Sequence, residues 1–251
     1  MHLTKAPRRT YDKPFLRPYS ILPCKSKRPL ERTPVTIAVG FLYDEGLLLC
    51  ADTQFTGQIK LIGSKILSRA YDDGSKSAFV VVGHARYARM CVNLIEDSIA
   101  DLGAGARTLR KMHRRVITYL KYIHQEHLFK HPTGGEIKVQ FLIGLWSAKD
   151  KALAFIGTEE TAVTRMYGYD CLGSGETLAH HYIRHKYRRV TSITQKPKHT
   201  EKEVRRLAME ALHEVKNYDP YCGGDSECLT LTNTGQMSFV RKLTAKVGKK
   251  G

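Results

Sequence analysis

No stretch of this sequence is long and apolar enough to span a membrane; its apolar runs are strand-sized. The N-terminus lacks the apolar segment of a secretory signal, so export is not expected. None of the six cysteines stands in a CxxC pair, and six in 251 residues is far too sparse for a disulfide scaffold. Reduced thiols and a cytoplasmic location are therefore the expectation. No repeat, low-complexity tract or linker interrupts the chain between its two ends, which excludes a solenoid and argues for one domain. His181 and His185 stand four residues apart, yet no glutamate sits between them as in HExxH, so neither they nor His180 are expected to hold a metal.

Negative charge is also in short supply. Lysine and arginine number 41 against 24 acids, a net of +17. Much of the excess lies in the first 35 residues, where nine basic side chains face two acids and six of the nine prolines fall. Proline removes backbone donors and holds the chain extended, so this stretch should not fold alone. Residues 1–33 read as a tail or propeptide, and 244–251 as a second, smaller basic tail. The prolines would break the amphipathic helix of a transit peptide. A nucleic-acid partner is disfavoured as well, because no aromatics interleave with the basic residues.

Between the tails, residues 34–243 show a definite order of elements. Strand-like runs at Thr36 to Tyr43 and Leu47 to Ala51 flank Asp44-Glu45-Gly46, a hairpin signal. Lys65 to Arg69 and Ser77 to Val82 form a second pair. Helical spacing follows, first in Cys91, Leu94, Ile95, Ile99 and Leu102, then in Leu109, Met112, Val116, Leu120 and Ile123. After Pro132-Thr133-Gly134-Gly135 strands return at Ile137 to Trp146, Ala152 to Ile156 and Ala162 to Tyr167. A short helix near Glu176 precedes a long one from Glu201 to about Asn217, opened by a capping box of Thr200 and Glu203. Cys228 to Thr232 and Met237 to Val240 close the series. Two antiparallel sheets between helical layers, an α+β fold, would bury all of these faces.

Four strings within this order resemble the proteasome β-subunit family of N-terminal-nucleophile hydrolases. Thr36-Ile37-Ala38-Val39-Gly40 followed by Leu49-Cys50-Ala51-Asp52 is similar to the family's first hairpin, with a threonine at its start and an aspartate at its far end. Lys65 falls where the family has its lysine, although Lys60 competes for that place. Cys171-Leu172-Gly173-Ser174-Gly175 resembles the Gly-Ser-Gly turn, and Asp219-Pro220-Tyr221-Cys222-Gly223-Gly224 the Asp-x-x-Ser-Gly-Gly segment. Cys222 replaces the usual serine. Val35 stands where self-processing members usually have glycine.

The resemblance implies a four-layer αββα sandwich and a threonine peptidase without cofactor. Thr36 would be the nucleophile, with Asp52, Lys65, Ser174, Asp219 and Cys222 around it. Gly83 would supply the oxyanion N–H, and Phe55 and Val81 would line the substrate pocket. The implied partners are copies of the chain in rings, a polypeptide substrate and an ATP-dependent unfoldase. A threonine hydroxyl needs an adjacent base, and the α-amine of a chain beginning at Thr36 titrates near the working pH. Taken alone, Asp52 and Lys65 read first as an ordinary ion pair. The competing reading keeps the architecture without the chemistry, as an inactive structural subunit.

Overall fold

Hydrophobic alternation and glycine turns set the strands. The computed structural model describes residues 36–56, 60–128, 130, 137–159, 161–187 and 198–243. The readings made for the tails, for Val35 and for Pro132 to Gly135 lie outside these residues. Along the chain run β1 (Ile37–Tyr43), β2 (Gly46–Asp52), β3 (Gln54–Thr56), β4 (Lys60–Ile62), β5 (Ile66–Ala70) and β6 (Lys76–Gly83). Helices α1 (Ala85–Ala100) and α2 (Leu109–Ile123) follow, then a π-helical turn at His124–Leu128. Next come β7 (Val139–Ser147), β8 (Ala152–Glu159), β9 (Ala162–Met166) and β10 (Tyr169–Gly173). The chain continues through α3 (Glu176–Arg184), α4 (Glu201–Tyr218), β11 (Ser226–Thr232) and β12 (Met237–Leu243).

The strands form two antiparallel five-stranded sheets, ordered β10-β1-β2-β11-β12 and β5-β6-β7-β8-β9, with β3 and β4 a separate hairpin. Alternation then divides the core into three bands. Ile37, Val39 and Phe41 of β1 face outward onto Leu207, Ala211 and Val215 of α4. Phe79, Phe141 and Ile143 of the second sheet pack against Ile95, Met112 and Val116 of α1 and α2. Between the sheets lie Leu47, Leu49, Val80, Leu142, Phe155, Leu229 and Leu231. The result is the αββα sandwich expected from the element order.

Local chemistry explains the boundaries. Thr200 accepts from the Glu203 N–H while the Glu203 carboxylate accepts from the Thr200 N–H, so the capping box opens α4. Glycine is required at Gly46, where a Cβ would stand 2.4 Å from the Leu231 carbonyl oxygen. That close approach lets β11 pair with β2 along its whole length.

Two sequence readings need correction. The Cys171 to Gly175 stretch is not only a turn: Tyr169–Gly173 is an edge strand whose Gly173 pairs with Ile37. Cysteines read as reduced are joined in one case, Cys50 to Cys228. The two lie directly opposite on β2 and β11 with Cα atoms 4.2 Å apart, although 178 residues separate them in sequence. Linear spacing carries no trace of such a cross-strand pair. Among the described residues, Cys91, Cys171 and Cys222 are free and buried. No helix of the described residues is long and apolar enough to cross a membrane.

Candidate active site

Three elements deliver three polar side chains to one buried point. Thr36 directly precedes β1. Asp52 ends β2 and is carried back beside Thr36 by the hairpin register that opposes Ala38 and Ala51. Lys65 directly precedes β5 in the other sheet. Thr36 is 3% exposed, and Asp52 and Lys65 are 0% exposed.

The contacts among them are direct. The Thr36 hydroxyl donates to Asp52 Oδ1 at 2.6 Å, and the Ile37 N–H donates to the same oxygen at 3.2 Å. The Lys65 ammonium donates to Asp52 Oδ1 at 2.5 Å, and also to Thr36 Oγ1 and the Gln54 carbonyl. All three ammonium protons thus have acceptors, as a buried lysine requires. Burial lowers the Lys65 pKa below the ordinary lysine value; the Asp52 charge and hydrogen bond, and after them the Glu227 charge, oppose that fall. Lys60, the competing lysine, is exposed, with Nζ 3.4 Å from the Pro220 carbonyl.

A second polar group lies alongside. Ser174 Oγ donates to Asp219 Oδ2, and Cys222 Sγ lies 3.4 Å from that oxygen and 3.7 Å from Ser174 Oγ. Burial, helped by the Asp52 charge, pushes the Cys222 thiol up to about 12, so it stays protonated. The two groups are tied together by the Gly223 N–H, which donates to Asp52 Oδ2 at 3.0 Å. Gly173, before Ser174, has φ +107°, and a Cβ there would stand 2.0 Å from the Thr36 carbonyl oxygen. Only glycine lets this turn come so close to Thr36.

The other sequence candidates are placed unequally. Phe55 reaches the cluster, its ring centroid 5.0 Å from Lys65 Nζ. Val81 is 6% exposed and packs into the core under α1 and α2. Its backbone N–H donates to the Lys65 carbonyl at 3.0 Å, so strand β6 leads from Lys65 toward Gly83. Gly83 has φ +101°, and a Cβ would meet the Lys138 carbonyl oxygen at 2.0 Å. His180, His181 and His185 lie apart, lining an open pocket of about 720 Å³ with Tyr169, Thr177 and Arg184. Among the described residues, no three His, Cys, Asp or Glu side chains gather as metal ligands would.

Two charged residues were missed by sequence reasoning. Glu227 on β11 is 2% exposed and accepts from the Lys65 N–H, the Ile66 N–H and Ser64 Oγ. Lys216 on α4 donates to the Gly224 carbonyl at 2.9 Å and to Ser226 Oγ at 2.8 Å. A signal for Glu227 existed: it lies in phase with Leu229 and Leu231, on an inward face where a carboxylate is out of place.

The comparisons agree with this architecture. A family model described as "Proteasome subunit" matches residues 35–231. No match is found among curated proteins. Similar solved structures include Anbu from Hyphomicrobium sp. strain MC1, with TM-score 0.66 and 13% identity over 82% of this chain and 87% of that one. Anbu, the ancestral β-subunit, from Yersinia bercovieri gives 0.67 and 10% over 82% and 87%. The helical assembly of the Anbu complex from Pseudomonas aeruginosa gives 0.67 and 12% over 85% and 88%. Identities this low speak for the fold alone, whereas the family match spans well over half of the sequence. The chain belongs to the proteasome subunit family.

Proposed function

We propose that this protein is a threonine peptidase that acts once the segment before Thr36 has been removed. The observation that carries the reading is the buried contact of Thr36, Asp52 and Lys65. Burying a charged pair around a hydroxyl is costly and brings little stability, so chemistry is the better reason for it.

In the proposed reaction the α-amine of Thr36 takes the hydroxyl proton as Oγ attacks the substrate carbonyl carbon. The Gly83 N–H holds the oxyanion of the tetrahedral intermediate. The amine then hands its proton to the leaving nitrogen, the C–N bond breaks, and an ester to Thr36 remains. Water attacks that ester, giving up its proton through the same amine, and the acid departs as the Thr36 hydroxyl is restored. Lys65 favours the neutral amine by like-charge repulsion and steadies the developing alkoxide. Asp52 offsets the lysine charge and aims its head, while Ser174 and Asp219 orient the amine. The test is peptide hydrolysis by the purified protein and by Thr36→Ala.

One observation favours a second reading, a non-catalytic subunit of the same fold. Thr36 is only 3% exposed, which keeps its hydroxyl out of reach of a substrate in the uncleaved chain. Cys222 in place of serine is compatible with either reading. Under the peptidase reading, Cys222→Ser retains hydrolysis within about threefold, since a hydroxyl keeps the contacts to Ser174 and Asp219. A steady-state rate on a fluorogenic peptide checks this.

The Pseudomonas aeruginosa neighbour is a helical assembly, and we propose that this chain likewise associates with copies of itself. Sedimentation at micromolar concentration is expected to give a species several times the 28.4 kDa chain mass. A lone monomer would contradict self-association.

A further inference from the structure

We infer that Glu227 is a positioning residue for Lys65: by gripping the chain at Ser64, Lys65 and Ile66 it aims the lysine at Thr36. The inference rests on the peptidase reading above, in which Lys65 serves Thr36. Glu227 Oε1 accepts from the Lys65 N–H at 2.7 Å, the Ile66 N–H at 3.2 Å and Ser64 Oγ at 2.8 Å. These donors form the turn that ends in β5, in one sheet, whereas Glu227 belongs to β11 in the other. The carboxylate therefore fixes the lysine backbone across the gap between sheets.

The placement has a cost that calls for a reason. Leu229 and Leu231, in phase with Glu227, fill the apolar space between the sheets. A carboxylate buried to 2% exposure on that face needs compensation for lost hydration. Here it comes from two backbone N–H groups and a hydroxyl rather than from an ion pair. Leucine would suit the packing; it would not hold the Ser64 to Ile66 turn.

Neighbouring residues of the same segment reinforce this. The Gly223 N–H binds Asp52 Oδ2, Lys216 clamps Gly224 and Ser226, and Ser226 pairs with Asp52 across the sheet. Residues 223–227 thus touch both charged partners of Thr36, Asp52 from one side and Lys65 from the other. The titratable groups facing Lys65 are Asp52 on β2, Glu227 on β11, Lys216 on α4 and the protonated Cys222 thiol after α4. Glu227 adds a negative charge that favours the ammonium, against the burial that disfavours it.

The test combines crystal structures of the full-length chain with kinetics of the mature chain. Glu227→Ala should move Lys65 Nζ by about 1 Å or more and lower kcat about 100-fold with KM unchanged. Glu227→Gln keeps an acceptor oxygen and should recover kcat to within about tenfold of wild type. Having lost the negative charge, it should also move the alkaline limb of the pH–rate profile to lower pH. If Glu227→Ala does not fold, Glu227→Gln decides through that limb, and an unmoved limb overturns the inference. Lys65 found in place in a folded Glu227→Ala crystal overturns it too. Absence of hydrolysis in the wild type would sink the peptidase reading and leave the crystallographic arm to judge Glu227 by itself.

Discussion

Thr36→Ala is expected to abolish peptide hydrolysis and all covalent capture by an electrophile directed at threonine. The hydroxyl is the atom that would form the ester, and no neighbour offers a substitute. The Cys222 thiol lies beside Ser174 and Asp219, but burial holds its pKa up to about 12, so it stays protonated and weakly nucleophilic. The Ser174 hydroxyl is committed to Asp219 and is not among the atoms that the Lys65 ammonium binds. The expected loss is therefore at least about 10³-fold, measured as kcat/KM on a fluorogenic peptide. The fold should survive, since removing a hydroxyl at the strand entrance leaves the Ile37 N–H bond to Asp52 intact. Thr36→Ser should keep much of the rate, because it retains the oxygen.

Lys65→Ala should be nearly as damaging, and for two separable reasons. Without the ammonium, the α-amine stays largely protonated and the alkoxide loses its nearest cation; we expect a fall of about 10²–10³-fold in kcat/KM. Asp52 also becomes a buried carboxylate without a counter-charge, which costs about 3–5 kcal/mol of stability. Lys65→Met combined with Asp52→Asn separates the two effects. The pair of neutral side chains should regain most of the stability in urea unfolding while hydrolysis stays absent. Recovery of activity in that double variant would mean that the lysine serves packing alone.

The lysine also sets a direction for pH dependence. Its folded pKa lies below that of an unfolded lysine, mainly through burial. Between those two values the unfolded chain binds the extra proton, so this group makes the fold more stable as pH rises through the window. As pH falls through the folded pKa that contribution is lost, because folding must then bury a charge. Under the peptidase reading, hydrolysis is expected to move the opposite way at the alkaline end, where Lys65 gives up its proton.

Much of this was legible in the sequence because it depends on local pattern. The hairpin from Thr36 to Asp52 could be placed by alternation and an acidic turn, and the register then brings its two ends together. The periodicity of Val204, Leu207, Ala211 and Val215 gave α4 and its buried stripe. What escaped detection depends on tertiary pairing. Cys50 and Cys228 meet only because β11 lies beside β2, a long-range choice with no trace in spacing. Strand β10 hid inside a glycine-rich string, and the β3–β4 hairpin is too short to show a period. Val81 and Phe55 looked alike as apolar candidates, yet one packs under helices and the other beside Lys65. Glu227 was overlooked because a single charged residue in a strand reads as exposed until its phase with Leu229 and Leu231 is considered.

The central claim is that Thr36 becomes a chain terminus and acts as the nucleophile. Intact mass spectrometry of the purified protein, before and after treatment with an electrophile that bridges a threonine hydroxyl and its own α-amine, tests it most directly. The account predicts a mass that starts at Thr36 and a single adduct mapping to Thr36, absent from Thr36→Ala. A spectrum containing only the full-length chain, with no adduct, would contradict it and leave the non-catalytic subunit as the reading.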